Sequence, residues 1–148
     1  MADKQIVLFG LNNEDYGLDI NKVQEIVRYQ EVKKLPETID YILGVINLRD
    51  KIIPIIDLKY KLYQQISEIS EETRIIVVKI AETLAGVIAD NVYEVLLIPE
   101  ENIEDAPRIL GHSVGIAGIG KLEDRLITLL ELDNLLSADD LRQVDQVV

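Results

Sequence analysis

The feature that most constrains this chain is a repeated hairpin. Residues Gly44 to Leu58 read GVINLRDKIIPIIDL: an apolar run, a charged Arg49-Asp50-Lys51 break, and a second apolar run. Two buried strands joined by a tight turn produce that pattern. It returns without a gap at Gly118 to Leu132, GIGKLEDRLITLLEL. Gly44, Leu48, Asp50, Ile53 and Leu58 recur there as Gly118, Leu122, Asp124, Ile127 and Leu132. Upstream, Gly17, Val23 and Glu25 recur as Gly86, Val92 and Glu94. Each half therefore reads as a strand, a Val-x-Glu-Ile/Val segment, a connection and the hairpin. Two copies are too few for a solenoid, so two similar β-subdomains packed together are expected. The hairpins should superpose, with Leu48 matching Leu122 and Ile53 matching Ile127.

A chain of 148 residues can bury about 70% of its unfolded surface. Its content is 48% hydrophobic but only 5% aromatic, so the core must be built from Ile, Leu and Val, which favour strands. There is no Cys, which removes disulfides, thiol chemistry and thiolate metal sites. No secretory signal and no apolar run of about 18 residues occurs, so a soluble cytoplasmic chain without direct membrane insertion is expected. The formal charge of −12 argues against nucleic acid and anionic membranes. Residues 22 to 61 nevertheless hold eight basic side chains (Lys22, Arg28, Lys33, Lys34, Arg49, Lys51, Lys59, Lys61) against six acids. A basic face on an acidic protein can orient an acidic partner; ordinary solvated charge is the plainer explanation.

Taken in order, Gln5 to Leu11 and Tyr16 to Ile20 form a first hairpin across Asn12-Asn13-Glu14-Asp15. Asn21 could cap a helical turn through Val27, but Val and Ile crowd a helix, which favours strand or irregular structure. Pro54 cannot donate to a ladder, so its strand should be an edge or bulged. Asp57 to Tyr63 suits a brief helix, Gln64 to Thr73 a loop between the halves. Arg74 to Ile80 and Leu84 to Asp90 pair as a hairpin, Asn91 to Ile98 continues as strand, and Glu100 to His112 is loop or short helix. Ser137 to Val148 resembles a capped helix with Leu141, Val144 and Val148 on its apolar side.

Chemistry-bearing constellations are scarce. His112 is the single histidine and reads as a surface loop residue. Asp57 and Glu131 are repeat-related carboxylates, better suited to capping or solvation than to an acid/base pair. No phosphate loop, dinucleotide fingerprint or nucleophile elbow is present, and no cofactor is expected. What remains is a binding module, with function at strand edges and hairpin tips. There the halves differ: Arg49 becomes Glu123, and Pro54 becomes Thr128. An Arg at a turn apex is most useful as a bidentate partner for a carboxylate.

Several segments together resemble the CheW family of chemotaxis coupling proteins. They are Tyr16-Gly17-Leu18-Asp19-Ile20, Lys22-Val23-Gln24-Glu25-Ile26, Leu35-Pro36, Gly44-Val45-Ile46-Asn47-Leu48-Arg49, Ile53-Pro54-Ile55-Ile56-Asp57-Leu58 and Arg74-Ile75-Ile76-Val77-Val78. The resemblance spans nearly the whole chain and implies an all-β fold. Two five-stranded SH3-like barrels would share a hydrophobic core, with short helices including one at the C-terminus. Residues 1–148 would then be one CheW-like domain. The first barrel would cover about 16–80, the second about 1–15 plus 81–136, and the C-terminal helix about 137–148. The resemblance implies no enzymatic activity. It implies instead an adaptor, monomeric when isolated, between methyl-accepting chemoreceptors and the regulatory domain of the histidine kinase CheA, within receptor arrays. Receptor binding would carry over to Val23, Glu25, Ile26 and Arg49, and kinase binding to Val27, Val32, Ile42 and Gly44, on a strand from Val27 to Val32. A second kinase contact would come from the other barrel.

Asp50 departs from the family's usual Gly after Asn-Leu-Arg. Glycine adopts positive φ cheaply and Asp is a tolerated substitute, so the turn type stays open. The chain length is expected to leave no room for an attached receiver domain. Glu25 is the natural ion-pair partner for Arg49. The competing function is a small β-barrel enzyme or ligand-binding domain using Asp57, Glu25 and Arg49 in one enclosed polar pocket. An exposed apolar groove with Val23 and Arg49 on its rim would favour the adaptor.

Overall fold

A computed structural model describes residues 3–36, 40–105 and 115–135. His112 and the helix expected over 137–148 lie outside those residues. The strands are β1 (Asp3–Leu11), β2 (Glu14–Asp19), β3 (Val23–Arg28), β4 (Ile42–Leu48), β5 (Lys51–Ile56), β6 (Arg74–Ile80), β7 (Thr83–Ala89), β8 (Asn91–Pro99), β9 (Ile103–Asp105), β10 (Ile116–Leu122) and β11 (Arg125–Leu130). Two short helices, α1 (Leu58–Tyr63) and α2 (Leu132–Leu135), follow the repeated hairpins β4–β5 and β10–β11. Asp57 caps α1 by accepting from the Tyr60 amide, as a strand-ending carboxylate should. The sequence favours strand over a helical turn capped by Asn21; a single 3-10 turn, Ile20–Lys22, is present, capped by Asp19, and β3 then runs as strand.

The strands form a five-stranded sheet, β3-β6-β7-β5-β4, and a six-stranded sheet, β8-β1-β2-β11-β10-β9. The repeat is reproduced at the level of register. Gly44 pairs with Ile55 and Gly118 with Leu129, and both hairpins shift register just before that glycine. Leu48 and Leu122 are both half-buried, and Ile53 and Ile127 both buried. Parallel pairing also repeats, Ile55 with Gly86 and Leu129 with Gly17. In the second half the chain beyond β8 returns as β9 to pair with β10; in the first half a single Lys33–Val45 bridge does the same. Strand pairing groups residues differently from the expected division. β2 (14–19) belongs with β1 and β11, and β7 (83–89) with β5 and β6.

Pro54 is a second departure, because β5 is an interior strand of its sheet, not an edge. Its opposite residue, Val45, directs both its N–H and its C=O to Lys33, so the ladder asks for no donor at position 54 on that side. On the other side the pairing with β7 begins only at Ile55. A proline is therefore tolerated in the middle of a sheet.

Burial separates into three clusters. Ile46, Ile53, Ile55, Ile75, Val77 and Ile88 fill the first barrel, and Ile6, Leu8, Ile98, Ile127 and Leu129 the second. Between them lies a larger shared core that includes Phe9, Leu11, Leu18, Ile42, Ile56, Leu58, Ile76, Val78 and Leu130. A buried side chain of this size contributes about 1.5–3 kcal/mol. The polar straps between the halves, Lys22 Nζ to Asp133 at 3.3 Å and the Ala81 amide to Asp133 at 3.2 Å, are exposed. An exposed ion pair of this kind is worth about 0–1 kcal/mol. Apolar burial decides that the barrels form one body. The Tyr16 and Tyr63 hydroxyls add a hydrogen bond from β2 to α1 across the junction.

Two outcomes follow for stability. A Cβ at Gly17 would stand 2.6 Å from Ile6 Cδ1 and 3.0 Å from Leu129 Cδ2; at Gly86 it would stand 2.7 Å from Ile75 Cγ2 and 2.8 Å from Ile55 Cδ1. Gly17→Ala and Gly86→Ala are each expected to destabilise by about 1–3 kcal/mol through overpacking, by similar amounts, in urea titrations. Tyr16 is held above the ordinary tyrosine range, by burial first and then by its bond to Tyr63. The unfolded chain therefore releases this proton first, so stability should hold below about pH 10 and fall as pH rises beyond it. Tyr16→Phe should flatten that alkaline fall in pH-dependent melting curves.

Candidate functional site

The first hairpin turns through two residues, Arg49 (φ 52°) and Asp50 (φ 66°), the signature of a type I′ turn. The Asp50 amide donates to Asn47 Oδ1 at 3.1 Å, which anchors the turn from its own strand. Asn12 and Asn13 make the same kind of turn between β1 and β2, with residues that tolerate φ > 0. Arg49 is a poor residue for that backbone, since a left-handed conformation costs an L-residue about 1–2 kcal/mol. It nevertheless occupies the apex, where its Nη1 lies 2.7 Å from Glu25 Oε2. The Arg49 side chain is 76% exposed and that of Glu25 20%. The ion pair expected from the sequence is thus present, reaching from the hairpin tip to Glu25 within β3.

A register shift in β3 explains how this strand serves two faces. Val23 pairs with Val78 and Ile26 with Ile76, both members of the shared core, whereas Glu25 pairs with Val77, which points into the first barrel. The extra residue places Val23 and Ile26 on one side although they are three apart. Val23 packs against the shared core, and Ile26 stands 39% exposed at its margin. The margin of the barrel junction is therefore apolar, with Glu25 and Arg49 beside it. The structure brings Val23, Glu25, Ile26 and Arg49 onto one strand and one hairpin tip.

The other four residues do not form an exposed face. β3 ends at Arg28, so Val27 to Val32 is not a continuous strand. Val27 and Val32 are half-buried against the first barrel's interior. Ile42 is 4% exposed and belongs to the shared core. Gly44 is buried where the Lys33 carbonyl would collide with any Cβ, so it serves a close crossing of two segments. Hairpin periodicity did not reveal this, because the segment crossing at Lys33 is distant in sequence.

Asp57 does not join Glu25 and Arg49. It is 1% exposed, and its oxygens accept from the Tyr60 amide, the Ser67 amide (3.1 Å) and Ser67 Oγ (2.6 Å). Those bonds pin the loop after α1, and they leave no enclosed polar site shared by the three residues. Among the described residues no group of three or more His, Cys, Asp or Glu could hold a metal ion. No helix among them is long and apolar enough to cross a membrane.

The second hairpin is tied down differently. Arg125 Nη2 lies 3.1 Å from Asp15, and its guanidinium is 5.9 Å from the Tyr93 ring on β8. The Asp15 hydrogen bond raises the Arg125 pKa further above its usual value. Glu123, opposite in sign to Arg49, also has positive φ (57°). Sequence reading found the inverted charge but missed Asp15 and Tyr93 as anchors, because neither is equivalent to Glu25.

Comparison with known proteins agrees with this geometry. A family model described as a CheW-like domain matches residues 5–140. The chain is similar to the chemotaxis protein CheW of Klebsiella aerogenes, 38% identical over 97% of this chain and 88% of that protein. Similarity to CheW of Bacillus subtilis is 32% identity over 92% and 88%. The crystal structure of the scaffolding protein TtCheW from Thermoanaerobacter tengcongensis superposes with a TM-score of 0.86 at 41% identity, covering 95% of this chain and 96% of that one.

The turn yields a direct stability test. Asp50→Gly keeps the amide that bonds Asn47 and removes a Cβ from a left-handed position. It is expected to stabilise by roughly 0.5–1 kcal/mol, less what glycine gains in the unfolded chain. A shift of the denaturant midpoint upward at unchanged slope would show it; a clear downward shift would make the Asp50 carboxylate an anchor.

Proposed function

The chain belongs to the CheW family of chemotaxis scaffold proteins, and from that membership we propose that it couples chemoreceptor tips to the regulatory domain of the histidine kinase CheA. It does so without catalysis, in the cytoplasm, as a member of receptor arrays. The receptor contacts the junction margin through Val23, Ile26, Glu25 and Arg49. The kinase domain meets the outer side of the first barrel, whose shape depends on Val27 and Val32 half-buried from within, on Gly44 at the Lys33 crossing and on Ile42 in the shared core. Coupling is geometric: each receptor conformation that favours one placement of the kinase domain shifts the kinase's own equilibrium.

The observation that carries this reading is Arg49. It is held in a left-handed turn that asparagine or glycine would adopt more cheaply, yet its guanidinium is presented to solvent. What sets it apart from the repeat-related Glu123, which has a left-handed φ as well, is its charge and its 76% exposed guanidinium. Glu25 orients the guanidinium while leaving most of it open to a partner carboxylate.

Arg49→Ala separates the two roles. Exposed ion pairs contribute about 0–1 kcal/mol, so melting should be nearly unchanged. A desolvated Arg contact at an interface costs about 2 kcal/mol on truncation, about thirtyfold in affinity. The variant is expected to fold normally and to fail in receptor-dependent kinase activation in a reconstituted mixture. Normal coupling by a stable variant would reduce Arg49 to a solvated turn residue.

A further inference from the structure

Arg28 and Arg74 stand directly opposite each other across β3 and β6. Directly opposed residues of an antiparallel pair project from the same face, and like charges there are destabilising. Nothing in the sheet requires them. The equivalent pair in the other half, on β8 and β1, is Leu97 opposite Gln5. Nor are they neutralised locally. Arg74 donates through Nη1 to the backbone carbonyls of Glu71 (2.8 Å) and Thr73 (2.9 Å). Among the described residues no ion pair reaches either guanidinium. Both line an open cleft of about 510 Å³, with Tyr29, Ile69 and Ser70 on its walls. Glu71 lines it too, and its backbone oxygen, not its carboxylate, is what engages Arg74.

The cleft continues the junction margin. Arg28 lies two residues beyond Ile26 on the same strand, and alternation puts both side chains on one face. Ile26 is exposed there, and Ile69 is exposed at 47% in the cleft itself. We propose that Arg28 and Arg74 form a carboxylate clamp that receives an acidic side chain of the receptor tip as its apolar residues settle on Ile26. This rests on the receptor-binding role proposed above. It extends that role to two residues in which the halves of this protein differ. Two guanidiniums held side by side without a counterion are relieved by a carboxylate, and each can bind one bidentately. A chain of formal charge −12 repels acidic partners overall, so local clamps of this kind fix where one can dock.

The test measures binding of a soluble chemoreceptor tip fragment at several salt concentrations, to the wild type, Arg28→Gln, Arg74→Gln and, as a charge-matched control, Lys121→Gln. Arg28 makes no contact that the fold needs, so Arg28→Gln should melt at or above the wild-type temperature. It should bind the fragment about fivefold more weakly, with a shallower salt dependence, as loss of a rim charge predicts. Arg74→Gln should weaken binding likewise, and Lys121→Gln should not. Wild-type binding with Arg28→Gln indistinguishable from it would overturn the clamp and leave the receptor role standing. If the wild type itself does not bind the fragment, the receptor role falls and the clamp with it.

Discussion

The structure depends on two strands that are buried on both faces. β1 sends Ile6 and Leu8 into one barrel and Phe9 and Leu11 into the shared core; β6 sends Ile75 and Val77 into the other barrel and Ile76, Val78 and Ile80 into that same core. Each strand is therefore apolar on both sides, which is why their sequences read as unbroken runs and not as alternation. A barrel of five short strands has little interior of its own. Sharing a core lets each barrel use its neighbour as a lid, and six Ile and Val positions in one interior and five Ile and Leu positions in the other suffice without aromatic bulk.

That constraint also fixes where the surface can be used. Because β1 and β6 are committed to packing, the neighbouring strands β8 and β3 stand at the sheet edges and at the margin of the junction. A register shift in each frees one residue from the alternation, Gln24 in β3 and Tyr93 in β8, between the two paired neighbours. In β3 the shift carries Glu25 towards the hairpin tip and leaves Val23 and Ile26 on the core side. The same backbone device in β8 leaves Tyr93 facing Arg125. One scaffold thus offers two related edges with different chemistry.

Much of this was legible in the sequence, for reasons that are themselves physical. The hairpins, the α1 cap at Asp57, the repeat and the Glu25–Arg49 pair all follow from local spacing or from comparing the halves. The partition of strands between sheets was not legible. β2 looks local to β3 and pairs instead with β11, in parallel, through Gly17. A parallel contact between segments more than a hundred residues apart leaves no mark on period-two alternation; only the crowded glycine hints at it. Pro54 misled for a similar reason, since its missing donor is excused by Lys33 crossing at Val45. Ile42 and Gly44 are expected at a binding face through the resemblance; their burial, in the shared core and under the Lys33 crossing, leaves no mark on the hairpin's own pattern.

Where the halves depart from symmetry is the most informative part of the molecule. Backbone register is kept almost residue for residue, so the selection that shaped the fold acted alike on both copies. Side chains on the edge are not kept. Arg49 answers to Glu123, Arg28 to Leu97 and Arg74 to Gln5. A residue that only had to close a turn or cover a strand would have no reason to reverse or lose its charge between copies. Arg49, like Glu123, holds a left-handed backbone that favours other residues, so it is the charge and not the conformation that differs between the halves. Arg28 and Arg74 hold a mutual repulsion that Leu and Gln avoid. Each is a local cost of about 2 kcal/mol or less, small beside the shared core and readily tolerated by it. Costs that the fold tolerates but does not need collect on or beside β3, the strand that carries Val23 and Ile26, and stability alone does not account for that charge asymmetry.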